Sequence, residues 1–259
     1  GTIGDITGDF IGNSAANNSG GAIYNVGTIG DITGDFIGNS AANNSGGAIE
    51  NFGTIGNITG NFIGNSAKDD GGAIYNYNGT IGDITGDFIG NSVTGSGYSG
   101  GAIYNRGTIG NITGDFISNS VATGYGGAIY NGSGNTIGNI TGDFIGNSAT
   151  GTSAFAGGGA IDNRGTIGNI TGDFIGNSVT GSSYSGGAIY NGYNGTIGNI
   201  TGDFIGNSAT GYAGGAIDNR GTIGNITGDF IGNSATGDAG GAIYNRDTIG
   251  DITGDFIGN

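Results

Sequence analysis

The stretch "TGDFIGNSAANNSGGAIYN", Thr7 to Asn25, decides the fold. A β-strand sends successive side chains to opposite faces. Phe10 and Ile11 are adjacent, large and apolar, so a strand with Phe10 inward leaves Ile11 on the solvent side. The same pair recurs along the whole chain. Its Phe residues stand at 10, 36, 62, 88, 116, 144, 174, 204, 230 and 256, spaced 26 to 30 residues apart. Each unit reads roughly GTIG[DN]ITGDFIGNSA, a variable polar stretch, then GGAIYN.

Length changes fall in two places. One lies between NSA or NSV and GGAI, the other after YN, while the distance from the Thr of TIG to the Phe is constant. Constant register with insertions at fixed points describes strands joined by surface loops. Ile3, Ile6, Phe10 and Ile11 show a faint helical period, but Gly4, Gly8 and Gly12 interrupt it, each costing a helix about 1 kcal/mol relative to Ala. A unit this short cannot bury an apolar face alone; stacked on its own copies it can. The expected fold is therefore all-β: a right-handed parallel β-helix, or β-solenoid, of about one coil per 26–30 residue repeat. Residues 1–259 read as a single repeat array of ten TIG-FIGN segments and nine GGAI connectors. At the strand spacing of about 4.8 Å, ten coils make a rod about 45–50 Å long.

Stacking converts each repeat position into a column. Phe10, Phe36, Phe62, Phe88 and Phe116 begin a ring ladder, and Ile3, Ile6 and Ile23 begin aliphatic ladders worth roughly 1.5–3 kcal/mol per buried side chain. With Ile23 inward, Asn25, Asn51 and Asn76 start an inward amide ladder of the kind that satisfies itself up and down a stack. Two readings of Ile11 follow. In the first, a corner at Gly12 breaks the alternation and both Phe10 and Ile11 enter the core; this is the expectation. In the second, Ile11 faces outward and its column forms an apolar stripe large enough to mark an interaction surface.

Composition narrows the function. The chain has 259 residues, 66 of them Gly, with no Pro, Cys, Met, Trp or His, and a net charge of −15 from 20 acidic and 5 basic residues. Five cations do not make the basic footprint that nucleic acid requires, and an anionic membrane surface is disfavoured likewise. No apolar run approaches the length of a membrane span, so insertion of this segment is not expected. Disulfides and thiolate metal sites are excluded. Beginning at Gly1 and lacking atypical end repeats, the chain reads as a mature form or a piece of a longer array, or as a subunit that stacks end to end.

F-x-x-N occurs ten times, as FIGN and once as FISN (Phe116–Asn119), and GGAI occurs nine times, beginning at Gly20. This alternation, along the whole chain, resembles the repeats of the chlamydial polymorphic outer-membrane proteins and, more broadly, the passenger domains of type V autotransporter adhesins. The resemblance implies a right-handed parallel β-helix at a bacterial surface or outside the cell, often adhesive, and transfers no catalytic residue. The translocator barrel, secretion signal and cysteines of many relatives are missing from this sequence.

The outward columns are the candidates for function. Tyr24, Tyr75, Tyr104, Tyr130, Tyr190 and Tyr244 share a column with Glu50, Asp162 and Asp218. Exposed aromatics dock sugars or proteins, so these six tyrosines are the candidate binding residues; cross-coil stacking that supports the sheet is the competing reading. Asp162 with Arg164 and Asp218 with Arg220 read as exposed pairs that add solubility. The Asp9 column, nine carboxylates and Asn61, reads as solvated or turn-capping, with a Ca²⁺ ladder as the alternative. The Asp5 column caps a bend, and the N-glycosylation matches in NIT and NGT read as chance. Thr2 and Thr7 head two columns that raise ice binding as a minor reading.

Catalysis fits poorly: His and Cys are missing, so the usual nucleophile–base pairs cannot form, and the coils are nearly alike. No enzyme activity, cofactor or metal is expected. The expectation is a structural and adhesive rod at a bacterial surface. It would bind another protein or glycan surface, or copies of itself, through repeated columns and the loops Val93–Gly100, Ala149–Gly158 and Val179–Gly186. A self-assembling filament subunit is the runner-up.

Overall fold

Gly punctuates this sequence so closely that most strands are only two or three residues long. The first coil, in a computed structural model, contains β1 (Thr2–Ile3), β2 (Ile6–Thr7), β3 (Phe10–Ile11), β4 (Ser14–Ala15) and β5 (Ile23–Asn25). The structure describes residues 1–17, 19–150, 157–181, 185–211, 213–237 and 240–259, and for residue 213 the backbone alone. No single strand of two residues is stable by itself. Each is held by the equivalent strand of the next coil, paired parallel and in register, as in Phe10 with Phe36 and Ile11 with Ile37.

The result is an all-β parallel solenoid. Among the described residues, the β2 and β3 positions each build a ten-stranded sheet and the β4 position a nine-stranded one, while the β5 and β1 positions merge into another. The merger occurs where the connection after YN is itself extended, as in the continuous strand Ile74–Ile81.

One side chain of each two-residue strand points inward. Inward Ile and Phe from the β1, β2, β3 and β5 positions, with the Ala of GGAI, form one continuous core. The rings of Phe10 and Phe36 lie 4.6 Å apart, and those of Phe116 and Phe144 4.8 Å apart, within 2° of parallel. A centroid distance of 4.8 Å exceeds the van der Waals plane spacing of about 3.5 Å, so the rings are offset along the stack, the arrangement their quadrupoles prefer.

Two amide ladders line the same interior. In the first, Asn25 Nδ2 donates to Asn51 Oδ1 at 2.8 Å, Asn51 Nδ2 to Asn76 Oδ1 at 2.9 Å, and Asn76 Nδ2 to Asn105 Oδ1 at 2.9 Å. The second, built from the Asn of F-x-x-N, is one that sequence reasoning missed. Asn65 Nδ2 donates to Asn91 Oδ1 at 2.9 Å and to the Phe36 carbonyl at 2.8 Å, while the Asn65 backbone N–H also reaches Asn91 Oδ1. Both amide protons and the oxygen are thereby used, which is what a buried Asn requires.

The Ile11 expectation is corrected here. Ile11 does not enter the core; it is 63% exposed, and its equivalents from Ile37 to Ile231 are partly exposed while each preceding Phe is buried. The corner is at Gly12, but it turns the chain only after the isoleucine. Gly12 has φ of 64°, the same left-handed turn recurs at Gly38, Gly64 and Gly90, and Ser118 holds it at φ 53°. That region suits Gly. The turn leaves the Phe–Ile alternation intact and re-aims the following Asn inward.

Candidate functional site

The core leaves the outer columns of the rod as its working surface. Along the β3 sheet the isoleucines Ile11, Ile37, Ile63, Ile89 and their successors stand one per coil. Those of the inner coils are shielded above and below by their neighbours and open on the outer side, while Ile11, in the first coil, has a neighbour on one side alone. Asp9 and its equivalents flank this stripe through a backbone ladder. The Asp35 N–H donates to Asp9 Oδ1 at 3.0 Å, the Asn61 N–H to Asp35 Oδ1 at 2.7 Å and the Asp115 N–H to Asp87 Oδ1 at 2.9 Å. Asp5 and its equivalents do the same at the preceding bend. These carboxylates and amides cap turns from coil to coil, which is why Asp and Asn interchange there. Among the described residues, no three His, Cys, Asp or Glu side chains converge to hold a metal ion. The Thr2 and Thr7 columns are exposed but lie in different sheets, separated by the Gly4–Asp5 bend.

The tyrosine column departs from a bare stripe. Tyr24 is 56% exposed, but Tyr104 is 2% exposed and Tyr130 6%; Tyr75, Tyr190 and Tyr244 lie between these limits. The expectation of an open aromatic stripe is therefore corrected at Tyr104 and Tyr130. Two causes act together. The rings stack across coils, Tyr75 on Tyr104 and Tyr104 on Tyr130, both at 5.0 Å. The inserts after the β4 position also fold back over this face: strand Ser92–Ser99 brings Tyr98 to 6.3 Å from Tyr130, and strand Ser120–Tyr125 brings Tyr125 to 6.0 Å. Burial raises the pKa of Tyr130 to about 12 and that of Tyr190 to about 12.

The acidic exceptions in this column are buried, not exposed solubility devices. Asp162 and Asp218 are both fully buried. Arg164 Nε and Nη2 donate to Asp162 at 3.0 and 3.2 Å, and Arg220 pairs with Asp218 at 3.1 and 3.4 Å. Each guanidinium also lies over tyrosine rings, Arg164 at 4.5 Å from Tyr125 and 5.5 Å from Tyr130, Arg220 at 5.7 Å from Tyr193. Each Asp stands at a position that is Tyr in six coils, and the planar Arg two residues on both pairs with it and stacks in the aromatic row. Asp162 raises the pKa of Arg164, and burial pushes that of Asp218 up to about 6 despite Arg220.

Of the three variable loops, Val93–Gly100 is described throughout and carries the exposed Tyr98. In Ala149–Gly158, residues 151–156 lie outside the described residues, and in Val179–Gly186 residues 182–184 do.

The fold is that of a solenoid with one continuous core and outward columns along its length. Residues 59–77, one F-x-x-N and GGAI pair from Thr59 to Tyr77, match the Chlamydia polymorphic membrane protein repeat. No curated protein and no solved structure matches the chain. With the solenoid, the repeat match points to a passenger-type domain of a cell-surface protein.

Proposed function

We propose that this chain is an extracellular, surface-displayed rod that adheres to another protein or glycan surface. It does so through the isoleucine stripe of the β3 sheet, helped by the accessible part of the tyrosine column, Tyr24, Tyr75, Tyr190 and Tyr244. The observation that carries the reading is the outward isoleucine in every coil. A rod selected for stability alone has no use for it, since Thr occupies the equivalent outward place one strand earlier. A partly exposed apolar row along the whole rod is the kind of patch that marks a docking surface. A partner is favoured over a second copy because rods of charge −15 repel one another. The residues supply no nucleophile–base constellation, so the reading gives the rod no catalytic role.

The test replaces Ile37, Ile63, Ile89, Ile117 and Ile145 with Thr in the full chain. Circular dichroism should be unchanged, and binding to cultured host cells or immobilised glycans should fall at least roughly tenfold, as expected when a hydrophobic contact row is removed. Adhesion that survives in the folded variant would overturn the proposal. Sedimentation of both forms reads lateral pairing of rods directly; a wild-type dimer that the substitutions dissolve would assign the stripe to self-association instead.

A further inference from the structure

Among the described residues, Oε2 of Glu50 is the buried side-chain oxygen with no hydrogen-bond partner. Glu50 is 4% exposed, and it is the single glutamate of the chain. Burial, the larger effect, pushes its pKa up, while Ser19 stands beside its carboxylate and favours the charged form. It lines a cleft of about 670 Å³ together with Ser19, Tyr24, Asn44 and Phe52. The rings of Tyr24 and Phe52 stand 5.6 Å apart at an angle of 51°.

The same molecule shows twice what a carboxylate in this column is built to hold. Glu50 pairs in register with Tyr24 on one side and Tyr75 on the other. Asp162 and Asp218 occupy the same column, each between tyrosine-bearing coils. There the residue two positions on is Arg. Its guanidinium forms the ion pair and lies over the neighbouring rings, Arg164 at 5.9 Å from Tyr190 and Arg220 at 5.9 Å from Tyr244. At Glu50 the carboxylate and the flanking rings are present, but the residue two positions on is Phe52. The coil therefore supplies the receptor and omits the guanidinium.

We propose that the Glu50 cleft is a binding site for an external guanidinium, the side chain of an arginine on a partner molecule. A planar fork satisfies a carboxylate with two parallel hydrogen bonds and stacks against Tyr24 and Phe52; a lysine ammonium does neither as well. Cation–π attraction to desolvated rings adds to the pairing. The inference concerns one coil and stands whether or not the isoleucine stripe is adhesive.

The test titrates the full chain with N-acetyl-arginine methylamide, followed by calorimetry and tyrosine fluorescence. One saturable site is expected. The neutral citrulline analogue should bind roughly tenfold more weakly or worse, because it loses the charge-assisted pair. Glu50→Gln should abolish binding. Glu50→Tyr, which gives this coil the residue of six others, should fold and also fail to bind. Phe52→Arg places an arginine where the Asp162 and Asp218 coils have theirs; it should fill the cleft from within, abolish probe binding and raise the melting temperature. Absence of saturable binding to the wild type, equal binding to folded Glu50→Gln or Glu50→Tyr, or probe binding undiminished in Phe52→Arg would each overturn the site. A lysine analogue that binds as tightly as the arginine one would overturn the guanidinium assignment.

Discussion

The β3 face and the β5 face of this rod are built from the same kind of strand and end differently. On both, a large residue points inward, Phe116 on one and Ile103 on the other, and the next residue points outward. On the β3 face the outward isoleucine keeps an open side in every coil. On the β5 face the outward Tyr104 and Tyr130 are buried, and so are Glu50, Asp162 and Asp218. The difference is the insert. The bend between β2 and β3 has constant length and cannot reach across its sheet, whereas the stretch after β4 varies in length and, at Ser92–Ser99 and Ser120–Tyr125, folds back over the β5 strands. Outward orientation in a solenoid thus fixes which way a side chain leaves the sheet, and the loops decide whether it meets water.

The largest expected contrast lies within one strand. Phe116→Ala should destabilise its coil by about 3–5 kcal/mol, since it opens a cavity in the ring ladder. Ile117→Thr, one residue on, should cost less than about 1 kcal/mol, the range of ordinary surface changes. Hydrogen exchange resolved by coil is the right measurement, because repeat arrays need not unfold as one unit. Equal losses at the two positions would mean that the stripe is packed rather than open.

On the β5 face, Arg220→Ala should cost about 3 kcal/mol by leaving the fully buried Asp218 without its partner. An effect below about 1 kcal/mol, the value of an exposed pair, would return these residues to the surface. Tyr130→Ala should destabilise by about 3 kcal/mol, and Tyr24→Ala by less than about 1 kcal/mol, in proportion to what each buries. Thermal melts and coil-resolved exchange of the pair check how far the inserts cover the column.

The smallest effect is the pH response of the covered face. Burial raises the carboxyl pKa of Asp70 and Asp218 from 3.8 to about 6, although Asp70 accepts a 2.6 Å hydrogen bond from the Ser99 N–H. Between those values the folded chain binds more protons than the unfolded one, so stability falls as pH rises from about 4 to 6. The melting temperature should be higher at pH 4.5 than at pH 7. Asp70→Asn should raise it at pH 7 and flatten the slope. An unchanged slope in that variant would remove Asp70 as a source of the dependence and leave it to Asp218 and to the repulsion of the acidic rod as a whole.

Much of this was legible without coordinates. The constant spacing from TIG to FIGN permits only stacking in register, and that places Phe36 over Phe10 and Asn51 over Asn25. The repeat alone did not reveal the second amide ladder, because Asn39 follows Gly38 and the turn that re-aims it leaves no hydrophobic pattern. It also pointed to the wrong side for Ile11. A Gly–Asn corner was evident, but whether the bend falls at the isoleucine or after it is a matter of one backbone angle. Glu50 stood out as a break in a tyrosine column; its burial could not be read, because that depends on chain from neighbouring coils.

The period, the fold class and the inward ladders follow from the repeat alone, since identical residues at constant spacing leave one way to share a dry interior. Only the tertiary structure decided which outward residues are accessible, which carboxylates are paired and which one is left open. Those outcomes rest on contacts between neighbouring coils and on side chains two residues apart, and such contacts are not written in the spacing of any one repeat.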